Sequence, residues 1–385
     1  MSFCKKLVSF ALCLLLLASC FCIFASAESP SLSAKSAILI DASGGRILYE
    51  KNAREVRPMA STTKIMTALV ALSLADPGQE IIIPTEAVGT EGSSAYLKAG
   101  EVFTLEELLY ALLLQSANDA AVAIAVSLSG SVGAFVEEMN RKAASLGLAD
   151  TQFETPSGLD GTHHHTTAYD LAMLTRVALQ NPILSSIVST KTISLPANET
   201  RTARSFVNHN KLLFSYPGCI GVKTGFTKKS GRCLVSAAER DGVRLIAVTL
   251  DAPDDWNDHK ELLDYGFSVL QQKKICQKGD LIAELPLVGG GKSTVTLEAA
   301  DDLSLTLPKD TGALKLVNDL PPFAYAPLTK GERVGALLVY ETDSEGSLTL
   351  VGSVDLIASQ DYPAKKKPSL FSRLFQFFKT LFQKE

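Results

Sequence analysis

Ser61-Thr62-Thr63-Lys64-Ile65-Met66-Thr67-Ala68-Leu69-Val70-Ala71-Leu72 is the stretch on which the fold turns. Its apolar run from about Thr62 to about Ser73 predicts a helix. Lys64 stands one turn after Ser61 and on the same face. A lysine inside an otherwise apolar helix is rarely buried without a purpose. Burial disfavours its charged form and lowers its pKa toward that of a working base. A neutral amine within reach of a hydroxyl can activate a serine without histidine. The helix start adds backbone N–H groups and a positive dipole end near a developing oxyanion. Taken alone, Ser61 reads first as a helix N-cap.

Two further motifs change that reading. Ser116-Ala117-Asn118 follows after about 50 residues and Lys223-Thr224-Gly225 after about 105 more. Ser116-Ala117-Asn118 falls between two predicted helices, Leu105 to about Leu114 and Asp119 to about Ser129, and is expected on a loop. There Ser116 can relay a proton to a leaving amine, and Asn118 can hold a substrate amide through its carbonyl oxygen and NH₂. By itself the segment is equally an N-cap before Asp119-Ala120-Ala121. Lys223-Thr224-Gly225 ends a predicted strand, Ile220 to Gly225, ahead of a turn at Thr227 to Ser230. Lys223 supplies positive potential, Thr224 a hydroxyl for an anionic substrate end, and Gly225 room for a substrate backbone. Seen alone it is a hairpin with a surface lysine. A second Ser-x-x-Lys at Ser2 to Lys5 shows how weak one motif is. The ordered triple, each member in its own structural context, points to acyl transfer through an acyl-serine.

Outward from the motifs, Ser36 to Asp41 and Arg46 to Glu50 read as strands joined by Ser43-Gly44-Gly45. Gly133 to Ser145 and Thr167 to Gln180 add helices, Cys233 to Ala238 and Val243 to Leu250 add strands, and Trp256 to Leu270 a closing helix. Strands at both ends with helices between predict an α+β domain, an antiparallel sheet flanked by a helical cluster. After about Gln272 short alternating runs appear at Leu281 to Leu285, Ser293 to Leu297, Leu303 to Leu307 and Val334 to Tyr340, which predict a small all-β domain. It carries no cluster of catalytic residue types, and a spacer role is expected. The expected organisation is an export segment at 1–27, a catalytic domain at 28–272, the β domain at 273–360, and a basic linker with an amphipathic helix at 361–385.

The ends and the composition limit what the chain does. Lys5 and Lys6, the apolar run Leu7 to Leu17 and the small residues Ala25-Ser26-Ala27 form an export signal. Leu17-Ala18-Ser19-Cys20 also fits a lipoprotein processing box, although the residues after Cys20 stay apolar. At the other end Leu370, Phe371, Leu374, Phe375, Phe378, Leu381 and Phe382 form an apolar stripe beside Arg373, Lys379 and Lys384, after Lys365-Lys366-Lys367-Pro368. It is too short to span a hydrocarbon core of roughly 20 helical residues. Such a helix lies flat on an anionic membrane surface; docking on the protein's own core is the other reading. A net charge of −4 over 385 residues, with no basic patch interleaved with aromatics in the main body, gives no sign of a nucleic-acid partner. Of seven cysteines, four lie in the export segment, leaving Cys219, Cys233 and Cys276. A Cys219–Cys233 bridge between neighbouring strands is one reading, and two small apolar strand residues the simpler one. His163-His164-His165 is better read as a polar loop than as a metal site, because adjacent histidines rarely converge on one ion. No cofactor and no metal are expected.

The three motifs, the export signal, the β domain and the amphipathic tail together resemble the low-molecular-mass penicillin-binding proteins, specifically the D-alanyl-D-alanine carboxypeptidases. The similarity runs through Pro58 to Leu69, Ser116 to Val122, Gly158-Leu159, Thr167 to Asp170, Asn208-His209-Asn210 and Gly221 to Thr227. It implies the penicillin-binding/β-lactamase-like transpeptidase fold. It implies removal of the terminal D-alanine from peptidoglycan stem peptides, acylation by β-lactam antibiotics, and work at the outer face of the cytoplasmic membrane. On matching positions Ser61 would be the nucleophile, Lys64 its base, Ser116 the proton relay and Asn118 a substrate ligand. Lys223 and Thr224 would bind the terminal carboxylate, and the backbone N–H groups of Ser61 and Phe226 would form the oxyanion hole.

The sequence also departs from the pattern. Ala117 stands where the second motif is often written with aspartate, and His209 where some relatives carry arginine. Some relatives have a further arginine in the segment that here reads Asp251 to His259. A class A β-lactamase would need a glutamate to activate deacylating water; Phe153 to Asp170 holds Glu154 but no Glu-x-x-Leu-Asn. A DD-endopeptidase would use the same groups on a cross-bridge. A non-catalytic wall-binding protein is opposed by the intact motif residues.

Overall fold

The six residues Ser36–Asp41 are all buried, and that sets the centre of the molecule (β1). A strand with no exposed position needs cover on both faces. The computed structural model, which describes residues 29–342, 346–365 and 379, provides it. The chain divides into two compact units: residues up to Arg240 with Arg244–Val269, and Asp241–Val243 with Leu270 onward.

In the first unit β1 lies between β2 (Ile47–Lys51) and a late strand. The sheet order is β2-β1-β9-β8-β7, with β7 Cys219–Thr227, β8 Gly231–Arg240 and β9 Val243–Leu250. β1 pairs antiparallel with β9, Ile38 opposite Val248 and Ile40 opposite Ile246. Successive side chains point to opposite faces. Ile38, Ile40, Ile246 and Val248 pack into the helical cluster. Leu39 and Leu245 take the other face, where α8 (Asp255–Val269) comes so close that a Cβ on Gly266 would sit 2.6 Å from Leu245.

The helical cluster is built around α1 (Lys64–Leu74), whose first eight residues are all buried. An all-round apolar helix is a core helix. Around it stand α2 (Leu105–Leu113), α3 (Asn118–Ser129), α4 (Val132–Ser145), α5 (Ala168–Ala178) and α6 (Pro182–Ser189). Thr104 and Glu107 close a full capping box on α2. The expected helices and sheet strands are present. Not foreseen in this unit were the β3–β4 pair (Glu80–Ile82, Val102–Thr104), the β5–β6 pair (Thr192–Leu195, Arg204–Val207), α6 and the short helix α7 (Leu212–Ser215).

The second unit is all β. Its main sheet runs β14-β16-β17-β12-β11-β15, with a separate pair β10–β13. Their bounds are β10 Leu270–Cys276, β11 Leu281–Val288, β12 Thr294–Ala299, β13 Leu303–Pro308, β14 Lys315–Asp319, β15 Ala324–Tyr325, β16 Arg333–Thr342 and β17 Leu348–Ala358. Val295, Leu297, Leu356 and Tyr362 centre its core. Residue Ala364 still bridges to Gly290, and the Lys365 N–H donates to the Gly289 carbonyl at 2.7 Å.

Two sequence readings can now be placed. Cys219, Cys233 and Cys276 are free thiols. In the β7–β8 ladder Cys219 is opposite Ala238, whereas Cys233 is opposite Gly225. Five rungs at roughly 3.3 Å each separate the two sulfurs far beyond the ~7 Å Cα limit for a bridge. The export signal, the Cys20 lipidation box and the stripe from Leu370 to Phe382 lie outside the described residues. Among the described residues no single helix is long and apolar enough to cross a membrane.

Candidate active site

Ser61 does not cap a helix. It sits inside a 3-10 turn, Ala60–Thr63, that runs directly into α1. The turn is tied by its own side chains: Thr62 Oγ1 donates to the Met59 carbonyl at 2.6 Å and Thr63 Oγ1 to the Ala60 carbonyl at 2.8 Å. Ala60 takes φ +47°, a left-handed conformation that a non-glycine residue holds only under constraint. Two glycines make the constraint. A Cβ on Gly158 would lie 2.0 Å from the Ala60 carbonyl oxygen, and one on Gly225 3.1 Å from the Ser61 nitrogen. Strand β7 and the 153–166 loop therefore clamp the turn from two sides.

His164 finishes that clamp. Its Nδ1 accepts the Glu154 N–H at 2.9 Å, which puts the ring proton on Nε2, 2.7 Å from Thr63 Oγ1. Burial drives its pKa down to about 4, so the ring stays neutral at pH 7. The histidine triplet thus supplies one buried structural ring. Among the described residues no group of three or more His, Cys, Asp or Glu could hold a metal ion.

Lys64 is fully buried, as its apolar surroundings predict. Its Nζ lies 2.8 Å from Ser61 Oγ, 2.7 Å from Asn118 Oδ1 and 2.5 Å from the Ser157 carbonyl. Its pKa is held well below the ordinary lysine value, by burial first and then by the charge of Lys223, with Asp119 opposing. The amide of Asn118 is fixed by its other end, where Nδ2 donates to the Glu91 carbonyl at 2.6 Å.

Asn118 and Asp119 also organise the wall of the site. The Asn118 N–H donates to the Ser93 carbonyl at 2.7 Å. The buried Asp119 carboxylate accepts from Ser94 Oγ at 2.6 Å and from the N–H groups of Ala95 and Leu97 at 3.0 Å each. One dipeptide thus pins residues 91–97 beside the nucleophile. Ser116, left-handed at φ +61°, enters the site from the chain just ahead of α3, whose first residue is Asn118.

Ser61, Ser116, Thr224, Gly225 and Phe226 line one cleft of about 640 Å³. The motifs read from the sequence, some 160 residues apart at their extremes, therefore meet. Lys223 is not the surface lysine of the motif's simplest reading. It is buried at 1%, with Nζ donating to the Thr224 carbonyl at 2.9 Å, and burial lowers its pKa to about 7. Its influence is electrostatic: its charge depresses both Lys64 and His209. Partial desolvation, then Lys223, pushes His209 below the usual histidine pKa, so it brings no charge to the cleft at pH 7. Asp119, Ser157, His164 and the group Arg232, Asp255 and Trp256 were not found from the sequence. Asp119 adjoins a motif residue, but its partners lie in a loop at 94–97 that no pattern marks; His164 was read only as part of a polar loop, and its contact with Thr63 of the first motif was not foreseen.

The region 24–254 matches the family model described as D-alanyl-D-alanine carboxypeptidase, which is more than half of the chain. The chain belongs to the D-alanyl-D-alanine carboxypeptidase family. Residues 270–364 match the penicillin-binding protein 5 C-terminal domain. Family relatives include D-alanyl-D-alanine carboxypeptidase DacF of Bacillus subtilis, 33% identical over 80% of this chain and 81% of its own. DacA of Escherichia coli K12 is 30% identical over 92% of this chain and 89% of its own. Among solved structures, penicillin binding protein 5 from Haemophilus influenzae superposes with TM-score 0.66 at 28% identity, covering 87% of this chain and 99% of that one. The Streptomyces K15 DD-transpeptidase gives 0.60 at 32% identity, over 63% of this chain and all of its own. The fold expected from the resemblance is thereby shown, for the transpeptidase-like unit and for the all-β unit that follows it.

Proposed function

We propose that this family member removes the terminal D-alanine from peptidoglycan stem peptides, with Ser61 as nucleophile and Lys64 as its base. The observation that carries the residue assignment is the environment of Lys64. Two of its three neighbours, the Asn118 and Ser157 oxygens, are pure acceptors. A neutral amine can give each of them one proton, and its lone pair then faces Ser61 Oγ. Ser61 Oγ passes its proton to Lys64 as it bonds to the scissile carbonyl carbon. The backbone N–H groups of Ser61 and Phe226 receive the oxyanion. The C–N bond breaks as Ser116 relays the proton to the departing D-alanine nitrogen, and Asn118 holds the acyl-side amide. Water then hydrolyses the ester. In a β-lactam the broken amide is in the ring, so the leaving group stays tethered and the acyl-serine persists.

Ser61→Ala should abolish both D-alanine release from a stem pentapeptide and covalent labelling by penicillin, while circular dichroism stays unchanged. Label found on that variant at another residue by mass mapping would overturn the assignment. The same assay with a cross-linked peptide dimer separates carboxypeptidase from endopeptidase action. The basic, phenylalanine-rich pattern at 361–385 supports docking on an anionic membrane surface at the outer face of the cytoplasmic membrane.

A further inference from the structure

Residues next to each other in β7 point to opposite faces of the sheet. Lys223 is opposite Val235, which packs with the helical cluster around Lys64. Thr224 therefore belongs to the other face, the face of α8. Phe226 shares that face, and its partner across the ladder is Arg232. Arg232 is thus the diagonal neighbour of Thr224, at a Cβ spacing of roughly 7–8 Å that a long side chain spans.

Arg232 is held and yet available. Nε and Nη2 both donate to one oxygen of Asp255, at 3.0 and 2.8 Å. Asp255 is buried at the first position of α8, and the guanidinium lies 5.6 Å from the ring centroid of Trp256. The Arg232 side chain is still 41% exposed, and it lines the same cleft as Ser61 and Thr224. Lys223, the cation that the motif offers, is buried and tied to its own strand. His209 is neutral. We propose that Arg232, aimed by Asp255, pairs with the free carboxylate at the substrate's C-terminus beside the Thr224 hydroxyl, and so makes this chain select chain ends. A planar guanidinium suits a carboxylate in a way that a buried ammonium cannot.

This inference rests on the reading of the chain as a carboxypeptidase, and the test separates the two. An N-acylated Lys-D-Ala-D-Ala peptide is offered to the full chain as the free acid and as the C-terminal amide, and kcat/KM is measured for each. The unaltered chain should prefer the acid. In Arg232→Gln the acid should lose roughly 10- to 100-fold, the amide should change little, and the preference should collapse. Arg232→Lys, which keeps charge and disturbs packing least, should fall between the two and serves if the glutamine variant does not fold. Lys211→Gln, which removes another cation along the cleft, should keep the preference. Equal loss on both peptides in Arg232→Gln would mean a structural role and would overturn the assignment. So would an intact preference in that variant, a collapse in Lys211→Gln, or an unaltered chain that cleaves acid and amide alike. Cleavage of neither peptide by the unaltered chain would instead remove the carboxypeptidase reading, and this inference with it.

Discussion

Three oxygens surround the Lys64 amine, and a neutral amine has two protons to share among them. What makes the side chain a base rather than a counter-ion is its burial, with the charge of Lys223 behind it, which disfavours the third proton. The sign of its pH dependence follows. Burial and Lys223 lower its pKa, so the neutral fraction, and with it the rate of β-lactam acylation, should rise with pH through a value well below 10.5. Lys64→Arg keeps the charge and cannot give up its proton, and should slow acylation by roughly 10²–10⁴-fold across the pH range. Stopped-flow labelling at several pH values checks both statements, and near-normal rates in Lys64→Arg would rule out proton acceptance. At this scale the sequence was most informative. A lysine three places after a serine, in an apolar run, already told that the amine would be buried. For Lys223 the sequence left burial open, because a strand residue can face in or out and only the ladder decides which.

Among the elements, the 153–166 loop matters more than its sequence suggests. It brings the Ser157 carbonyl to Lys64, the Pro156 carbonyl to Thr67 and His164 to Thr63. Gly158 is its point of closest approach, at φ +85° and against the Ala60 carbonyl. Gly158→Ala should therefore destabilise the chain by about 2 kcal/mol or more and slow acylation, because the Ser157 carbonyl must move with it. Gly133→Ala in α4, where an added Cβ meets nothing within 4 Å, should be neutral or stabilise by about 0.5–1 kcal/mol. Urea unfolding of both variants makes the comparison; equal effects would remove the loop from the account. Periodicity could reveal α1 and α3 because apolar burial forms them. It could not reveal the β5–β6 pair. That hairpin is anchored by Arg204 to Glu101 at 2.6 Å, by Arg201 to Glu107, and by both arginines over the Phe103 ring. Those partners are about a hundred residues away, and no local pattern announces them.

For the molecule as a whole, the α+β unit and the β unit were legible from the change of texture after about Gln272. β14 and β17 were not, since their outer residues are exposed and their pattern is weak. The tail prediction belongs here. Because Ala364 and Lys365 still take part in the second unit's hydrogen bonding, truncation should fall after Lys365. The shortened chain should cleave a small peptide normally and lose sedimentation with anionic vesicles, each lost basic residue weakening binding by about 1 kcal/mol. Equal pelleting of both forms would refute the anchor. Pelleting insensitive to lipid charge would leave only the apolar face.

The place of β1 in its sheet has a consequence for synthesis. It is made early, has its hairpin partner β2 beside it in sequence, and lacks β9, which ends at Leu250, until much later. Until then a growing chain carries a hairpin with one open flank and six residues that the finished protein hides entirely. Such a flank is a template for the same strand in a neighbouring copy. Ribosomes translating one message in close file would therefore place such flanks side by side, and added holdase should lower aggregation of chains halted between Asp41 and Leu250 while leaving the finished chain unaffected.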